Sequence, residues 1–222
     1  MSISDWQVVW FSIRTAFLAA LLILPPGILA AWLLARFSFR GKSIFETIIT
    51  LPLVMPPVAT GLLLLRLIGR NRSIGRFFYQ CCDINIVFTW KAVVIAMAVM
   101  SFPLLVRAAR IAFEEVNPRL EQVAYSLGAR PLRVFGTITL PLAKRGIIAG
   151  FILAFARALG EFGATILVAG NIPGKTATLA VSIYSEIQLG QDDTAFRLVF
   201  YSIVLAFATL WVSEQYLKRH PS

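Results

Sequence analysis

Apolar residues are gathered into long runs along this chain instead of alternating with polar residues. The stretches 16–35 and 47–65 contain no charged residue, and each is close to the ~20 residues that a helix needs to cross the hydrocarbon core of a bilayer. Three further runs, at 92–106, 146–174 and 198–213, are shorter or interrupted. A buried core of a soluble protein would explain one such run but not five. The pattern predicts a single all-α domain over 1–222.

The five runs place membrane helices at about the following positions: 12–35, 44–67, 87–109, 146–169 and 196–216. Composition supports a protein that crosses the membrane several times. The chain is 58% hydrophobic and 14% charged, whereas soluble domains carry roughly 25% charged residues. The first apolar run has no Lys or Arg before Arg14 and no small-residue cleavage pattern after it, so we expect it to remain in the membrane and not to be removed as a signal.

The net charge of +10 raises the question of nucleic-acid binding, but the distribution of the basic residues favours another explanation. More than half of the 21 Lys and Arg residues lie in the first and third connectors and in the C-terminal tail. Lys and Arg are retained on the cytoplasmic side of membrane proteins. We therefore expect a bacterial inner-membrane protein with a periplasmic N-terminus, a cytoplasmic C-terminus and no nucleic-acid partner.

Prolines interrupt several of the predicted spans. Pro25 and Pro26 fall in the first span, Pro56 and Pro57 in the second, where Thr60 and Gly61 follow. A proline removes a backbone donor and bends or breaks a helix, and transporters place broken helices along their substrate pathways. A structural kink is the alternative for any one proline. We keep both interpretations for Pro56, Pro57 and Thr60.

Two opposite charges lie near the middle of the fourth span. Arg157 and Glu161 are four residues apart and therefore share one helix face. Charges inside a membrane span are costly and usually face the interior of the bundle or a cavity. One hypothesis makes this pair a gate or pathway lining, and the other makes it a self-neutralising ion pair that braces the structure.

The third connector, about 107–145, predicts a short helical hairpin at 117–136. Asn117 and Pro118 have the character of an N-cap and a first helical residue. Leu120, Val123 and Leu127 follow with helical spacing. Gly128 is suited to a left-handed helix end, and Pro131 can start a second short helix. The apolar face of this hairpin could lie on the membrane, pack on the bundle or enter a groove on a partner.

The sequence contains no constellation typical of an enzyme. It has no phosphate-binding loop, and its single histidine, His220, lies in the C-terminal tail. We therefore expect no catalytic, cofactor-binding or metal-binding residues in this chain, and any ATP chemistry would belong to another chain. Cys81 and Cys82 are adjacent, which strains a disulfide, so free thiols are expected.

The third connector resembles the cytoplasmic loop of ABC importer permeases. That loop carries Glu-Ala-Ala, three residues, Gly, nine residues and Ile-x-Leu-Pro. In this sequence Gly128 is followed after nine residues by Ile138, Thr139, Leu140 and Pro141. The Glu-Ala-Ala positions hold Gln122, Val123 and Ala124, so only the last one matches, and Glu121 stands one position early.

Other stretches are similar to the molybdate permeases within that family. They are 51–57 (LPLVMPP), 156–165 (ARALGEFGAT) and 171–176 (NIPGKT). Sulfate and thiosulfate permeases share much of this pattern but are usually longer. The resemblance implies the type I ABC importer permease fold, and a permease subunit that translocates molybdate by alternating access. Sulfate, thiosulfate and tungstate remain alternative substrates.

The resemblance also implies an assembly and a set of functional residues. The expected partners are a second copy of the chain, a dimer of a cytoplasmic ATPase that binds ATP and Mg²⁺, a periplasmic oxyanion-binding protein and the lipid bilayer. The residues implied in coupling to the ATPase are Leu120, Gln122, Val123, Ala124, Leu127, Gly128, Ile138, Leu140 and Pro141. The candidate pathway or gate residues are Pro56, Pro57, Thr60, Arg157 and Glu161.

Other classes of protein fit the sequence less well. A secondary transporter or channel would explain the broken spans without an ATPase, but it would not explain the hairpin. A membrane anchor for an enzyme complex would not need helices broken by proline. A membrane enzyme would need catalytic residues that the pattern does not supply.

Overall fold

The computed structural model describes residues 4–69, 76 and 86–218, and regular structure in these ranges is helical throughout. Its helices are α1 Asp5–Arg36, α2 Lys42–Val54, α3 Pro57–Ile68, α4 Trp90–Glu115, α5 Pro118–Ser126, α6 Pro131–Val134, α7 Leu140–Leu159, α8 Gly163–Ala169, α9 Leu179–Gln188 and α10 Asp192–Lys218. A π-helical segment, Phe135–Thr139, joins α6 to α7. Cys81 and Cys82 lie outside the described residues.

Within the described part of the chain, four helical stretches are long and apolar enough to cross a membrane. They are Asp5–Arg36, Trp90–Glu115, Pro131–Leu159 and Asp192–Gln215. The pair α2 and α3 passes the same test together but is bent by 113° at its break, so up to five spans are present. This architecture confirms the predicted all-α fold with about five membrane helices.

The observed helices differ from the predicted spans at their ends and in their continuity. The stretches 12–35 and 87–109 extend further, back to Asp5 in α1 and on to Glu115 in α4. Hydropathy marks the part of a helix that matches lipid, whereas backbone hydrogen bonding continues through its polar ends. The stretches 44–67 and 146–169 are each divided between two helices, because the chain leaves helical geometry at Met55–Pro56 and at 160–162.

Helix α4 is the centre of the bundle and packs against both α1 and α7, which also contact each other. Small residues line these contacts. Ala92, Ala96 and Ala109 of α4 are completely buried, and a Cβ placed on Gly150 of α7 would lie 2.9 Å from the Cβ of Ala108. Membrane helices associate through such small residues because their backbones can then approach closely.

Two of the predicted proline interruptions do not break their helix. Pro25 and Pro26 lie inside the continuous helix α1, so of the two alternatives for prolines in a span, a bend or a break, this pair makes no break. The halves of α1 on either side of the prolines both pack against α4, through Ile23 and through Leu34 among others. This packing keeps α1 helical across the two prolines although two backbone N–H donors are missing.

The bundle has two distinct ends. The end of α1 at Arg36 and the turn between α4 and α5 form the hairpin end. The start of α1, the start of α4 and the loop 170–178 form the opposite end, which we call the loop end. There the Arg197 Nε donates to Asp5 Oδ2 at 3.2 Å and ties the start of α10 to the start of α1.

Candidate functional site

Helix α5 opens the hairpin and is fixed by caps at both ends. The Asn117 Oδ1 accepts a hydrogen bond from the N–H of the second helical residue at 3.0 Å, and Pro118 fills the first position, where no backbone donor is needed. At the other end Gly128 has a φ of 84°. The Ala129 N–H donates to the Ala124 carbonyl at 3.0 Å, as in a Schellman motif. The predicted start and left-handed end of this helix are confirmed.

Large apolar side chains of the hairpin face outward. Helix α5 has no buried residue. Leu120, Val123 and Leu127 are 48%, 58% and 82% exposed, and Leu132 at the start of α6 is 86% exposed. Contiguous exposed apolar groups of this kind mark a surface that is covered by a partner or by lipid.

Glu121 ties the outward-facing hairpin to the bundle. Its Oε1 atom lies 3.0 Å from Arg36 Nη2, at the end of α1, and accepts a hydrogen bond from the Thr139 hydroxyl at 2.6 Å. The same Arg36 nitrogen donates to the Val116 carbonyl at 3.0 Å. Both members of the ion pair are mostly buried, so the attraction between them is screened less than it would be at the surface. The hairpin and the end of α1 are therefore linked.

The structure divides the remaining predicted coupling residues between the surface and the bundle. Gln122 and Pro141 are exposed, and Ala124 and Ile138 are half-buried. Leu140 packs against the buried apolar cluster at the hairpin end. The first helix of the hairpin thus presents a surface, whereas the Ile-x-Leu-Pro stretch forms the connection from the hairpin into α7.

The second arm of the hairpin continues into the membrane instead of ending as a separate helix. From Pro131 the backbone runs through α6, the π-helical segment and α7 to Leu159 as one helical stretch. Within the π-helical segment, the Phe135 ring packs edge-on against Trp32 at a centroid distance of 5.1 Å and near Phe113 at 6.2 Å. Single π-helical turns are frequent at functional sites.

The breaks in the two divided spans lie side by side, and we call residues 55–61 and 157–165 together the junction. A Cβ placed on Gly163 would lie 2.8 Å from Pro57 Cβ, and one placed on Gly61 would lie 2.8 Å from Ala164 Cα. Helices α3 and α8 therefore run parallel with their N-termini adjacent. At Gly61 the neighbouring atom belongs to the backbone, so a larger residue there would force the two helices apart.

Glu161 is the buried charge of the junction, with a residue exposure of 1%. Its Oε2 lies 2.9 Å from Arg157 Nη2, and its Oε1 accepts a hydrogen bond from the Ala164 N–H at 2.9 Å. The carboxylate thus neutralises Arg157 and satisfies a free donor in the first turn of α8. Arg157 remains 27% exposed along its side chain, so the pair borders accessible space.

Two hydroxyl groups at the junction have no hydrogen-bond partner within the described residues. They belong to Thr60 on α3 and Thr165 on α8, and both side chains are buried. Unsatisfied polar groups in an apolar interior are costly. Together with Arg157 and Glu161, these hydroxyls make the junction, which also contains the helix-breaking Pro56 and Pro57, a polar region inside an apolar bundle, able to act as a hinge or as a lining for a polar solute.

Some residues of these sites were not singled out from the sequence. Arg36 and Thr139 complete the link with Glu121, and Gly61 with Gly163 makes the junction close-packed. Glu121 gave one signal, since it stands next to the position where the family motif has its glutamate. Leu132, which the sequence places as an apolar residue at the start of the second short helix, extends the exposed apolar surface.

Comparison with known proteins agrees with this architecture. The family model of the inner-membrane component of binding-protein-dependent transport systems matches residues 23–219. The molybdenum transport system permease protein ModB of Escherichia coli (strain K12) is 51% identical over 211 residues, which are 95% of this chain and 92% of that protein. The sulfate transport system permease protein CysT of Salmonella typhimurium is 36% identical over 90% of this chain and 71% of that protein.

A solved structure shares the fold at low sequence identity. The bacterial alginate ABC transporter, crystallised with a periplasmic protein bound to an alginate pentasaccharide, aligns with a TM-score of 0.73 at 16% identity, over 96% of this chain and 78% of the matched chain. The predicted resemblance to ABC importer permeases of the oxyanion group is confirmed. This chain belongs to the family of inner-membrane components of binding-protein-dependent transport systems and is a multi-pass inner-membrane protein.

Proposed function

We propose that this chain is the membrane-spanning permease subunit of an ATP-driven importer that carries molybdate into the cytoplasm by alternating access. The observation that carries the proposal is the 51% identity to ModB over 95% of the chain. The sulfate permease CysT is less similar and extends beyond the matched region, so sulfate and thiosulfate are the weaker alternatives. Tungstate, an oxyanion of the same shape and charge, is the alternative that selectivity measurements must address.

The proposed assembly contains two copies of this chain, two copies of a cytoplasmic ATPase and a periplasmic oxyanion-binding protein. The hairpin end carries most of the connector Lys and Arg residues, which supports a cytoplasmic location for it. The N-terminus would then be periplasmic and the C-terminus cytoplasmic. ATP and Mg²⁺ would bind to the ATPase, and this chain would itself be no enzyme.

In this mechanism the hairpin is the point at which the ATPase acts on the permease. Leu120, Val123 and Leu127 present the apolar side chains that a groove on the ATPase can cover. Closure of the ATPase dimer on ATP would displace the hairpin, and the helix from Pro131 to Leu159 would carry that displacement to the junction. ATP on one side and the loaded binding protein on the other would bias the same two-state element.

Reconstitution tests the class of transporter and its substrate. The chain, its ATPase and its binding protein are placed in liposomes, and uptake of radioactive molybdate is measured with ATP or with an ion gradient. We expect uptake that requires ATP and is displaced by excess molybdate more strongly than by sulfate. Uptake driven by the gradient without ATP would instead favour a secondary transporter.

Substitutions in the hairpin test the coupling residues. Gly128→Asp and Ala124→Asp introduce a charge into the surface proposed to meet the ATPase, and we expect both to lose co-purification of the ATPase while the chain still inserts. Gly128→Asn is the matched control, because asparagine adopts the left-handed conformation about as readily as aspartate does but carries no charge. An ATPase that remains bound and stimulated in both aspartate variants would contradict the assignment.

Cysteine labelling tests the orientation. In a Cys81→Ser, Cys82→Ser background, Ser126→Cys at the hairpin end and Gln191→Cys at the loop end are exposed to a thiol reagent that does not cross membranes. We expect intact cells, with a permeabilised outer membrane, to label only the second variant. The reverse pattern would place the hairpin in the periplasm and exclude contact with a cytoplasmic ATPase.

A further inference from the structure

A cavity of about 410 Å³ lies at the loop end, between the first half of α1, the start of α4 and the turn around Gly174. The apolar and cationic side chains that line it are Phe11, Leu18, Phe88, Trp90, Arg14 and Lys175. The cavity thus combines an aromatic and aliphatic wall with two positive charges. None of these residues belongs to the hairpin or to the junction.

Exposed tryptophans define the depth of the cavity in the membrane. Trp6 and Trp10 on α1 and Trp90 on α4 are 69%, 57% and 45% exposed, and tryptophan concentrates at the boundary between lipid headgroups and acyl chains. Arg14 follows Trp10 by one helical turn and shares its face of α1. The cavity therefore lies at headgroup level, with its apolar wall continuing toward the acyl chains.

The two cations of the cavity lack a counter-charge within residues 4–69, 76 and 86–218. Neither Arg14 nor Lys175 forms an ion pair there, and both are exposed. Arg197 at the same end contrasts with them, because it pairs with Asp5. The cavity accordingly offers positive charge to an anion from outside the chain.

Phe88 holds its ring at the cavity in an unfavourable backbone conformation. Its φ is 59°, a region that an aromatic residue rarely adopts. The Phe88 N–H donates to the Val168 carbonyl at 3.1 Å, and the ring is 56% exposed. Such outliers persist where the surrounding structure enforces them and concentrate at ligand sites.

We propose that this cavity binds an anionic glycerophospholipid of the adjacent leaflet. Arg14 and Lys175 contact the phosphate, and an acyl chain lies against Phe11, Leu18 and the rings of Phe88 and Trp90. A transported oxyanion fits poorly, because the walls are largely apolar. A lipid supplies both the negative charge and the apolar surface that the lining requires.

Lipid retention by the complex purified from native membranes in mild detergent tests the proposal. Native mass spectrometry and lipid extraction count phosphatidylglycerol per chain for the wild type, Arg14→Gln with Lys175→Gln, and Arg66→Gln. Arg66 is an exposed arginine near the end of α3 that does not line the cavity. Each basic residue near an anionic headgroup strengthens its binding, so the loss of two should weaken the affinity for phosphatidylglycerol about 30-fold. We expect no change in the Arg66→Gln control.

A second variant separates lipid binding from folding. Phe88→Gly removes the ring and the strained conformation together, so we expect a chain that is at least as stable to heat but retains less phosphatidylglycerol. Arg14→Lys, which keeps the charge, should retain the lipid. Equal retention by the wild type, the double variant and Phe88→Gly would overturn the proposal. So would retention of molybdate, in place of lipid, that depends on Arg14 and Lys175.

Discussion

The hairpin and the junction each contain a carboxylate paired with an arginine, but the two pairs have opposite consequences. Glu121 reaches Arg36 across 85 residues of sequence at 3.0 Å, so that pair joins two separate elements. Glu161 reaches Arg157 one turn away at 2.9 Å, so that pair closes within a single stretch of chain and sets its local shape.

The two regions also differ in what they expose. The hairpin turns leucines outward, with Leu127 and Leu132 more than four-fifths exposed, and turns its carboxylate inward. The junction buries its polar groups beside the close helix contacts that Gly61 and Gly163 permit. A surface of the first kind is complete only when something covers it, whereas an interior of the second kind is already close-packed. The comparison predicts that substitutions at the junction lower the stability of the chain and that substitutions at the hairpin weaken its binding to a partner.

The largest effect is expected from Gly61→Val at the junction. Its new Cβ would lie 2.8 Å from the Cα of Ala164, which is backbone and cannot move aside. Overpacking of this kind costs about 3 kcal/mol, and we expect loss of both thermal stability and uptake. Gly136→Ala is the control, because nothing lies within 4 Å of its Cβ. A Gly61→Val protein with normal melting would refute the close contact between α3 and α8.

The next largest effect is expected from Glu161→Gln, which leaves Arg157 without its counter-charge. Breaking a mostly buried pair costs about 3 kcal/mol, so we expect reduced assembly and uptake. Arg157→Gln should behave similarly. The double variant, with both residues changed to glutamine, distinguishes the two hypotheses for this pair. A brace predicts recovered assembly and uptake, whereas a pathway role predicts recovered assembly without uptake. Normal uptake by Arg157→Gln alone would exclude the pathway role.

A smaller effect on the chain is expected from Glu121→Gln. The amide oxygen can still accept hydrogen bonds, so the loss is the difference between a charge-assisted and a neutral hydrogen bond, about 1 kcal/mol. We expect little change in melting but weaker stimulation of the ATPase by substrate-loaded binding protein. Glu114→Gln is the matched control, since Glu114 pairs with Arg110 at 2.7 Å at the same end but outside the hairpin. Equal stimulation in both variants would show that the Arg36–Glu121 link transmits nothing.

The smallest effect on stability is expected from Leu132→Ala at the tip of the hairpin. The side chain is 86% exposed, and surface substitutions usually change stability by no more than about 0.5 kcal/mol. We nevertheless expect weaker binding of the ATPase, measured by titration of the purified subunits. Unchanged binding would leave Leu132 outside the docking surface and confine that surface to α5.

The hairpin was predictable because its signals are local. Asn117 and Pro118 start the helix formed by the residues directly after them, and Gly128 supplies the left-handed conformation that ends it. Neither signal depends on a distant element. The junction was only half predictable. Pro56 and Pro57 predicted a break in the helix. The contact between Gly61 and Ala164, however, joins two segments about a hundred residues apart, and no local sequence pattern predicts such a contact.

Helix α9 and the continuous α1 show two further limits of local reasoning. Leu179–Gln188 lies between the fourth and fifth predicted spans, where no helix was predicted, yet the Leu179 N–H donates to the Ser12 hydroxyl at 2.7 Å and anchors the helix on α1. Pro25 and Pro26 could have bent or broken their helix, and tertiary packing keeps it continuous. In both cases contacts with another helix outweighed local preference.

The helical stretch from Pro131 to Leu159 gives the two regions a mechanical relationship. Its 29 residues form a helical stretch about 40 Å long at 1.5 Å per residue, with the hairpin at one end and the junction at the other. Such a stretch works as a lever: a tilt of about 5° moves its far end by about 3 Å, given that length. In the proposed mechanism, a displacement of the hairpin by the ATPase would thus reach the junction, where the helix is interrupted between Leu159 and Gly163.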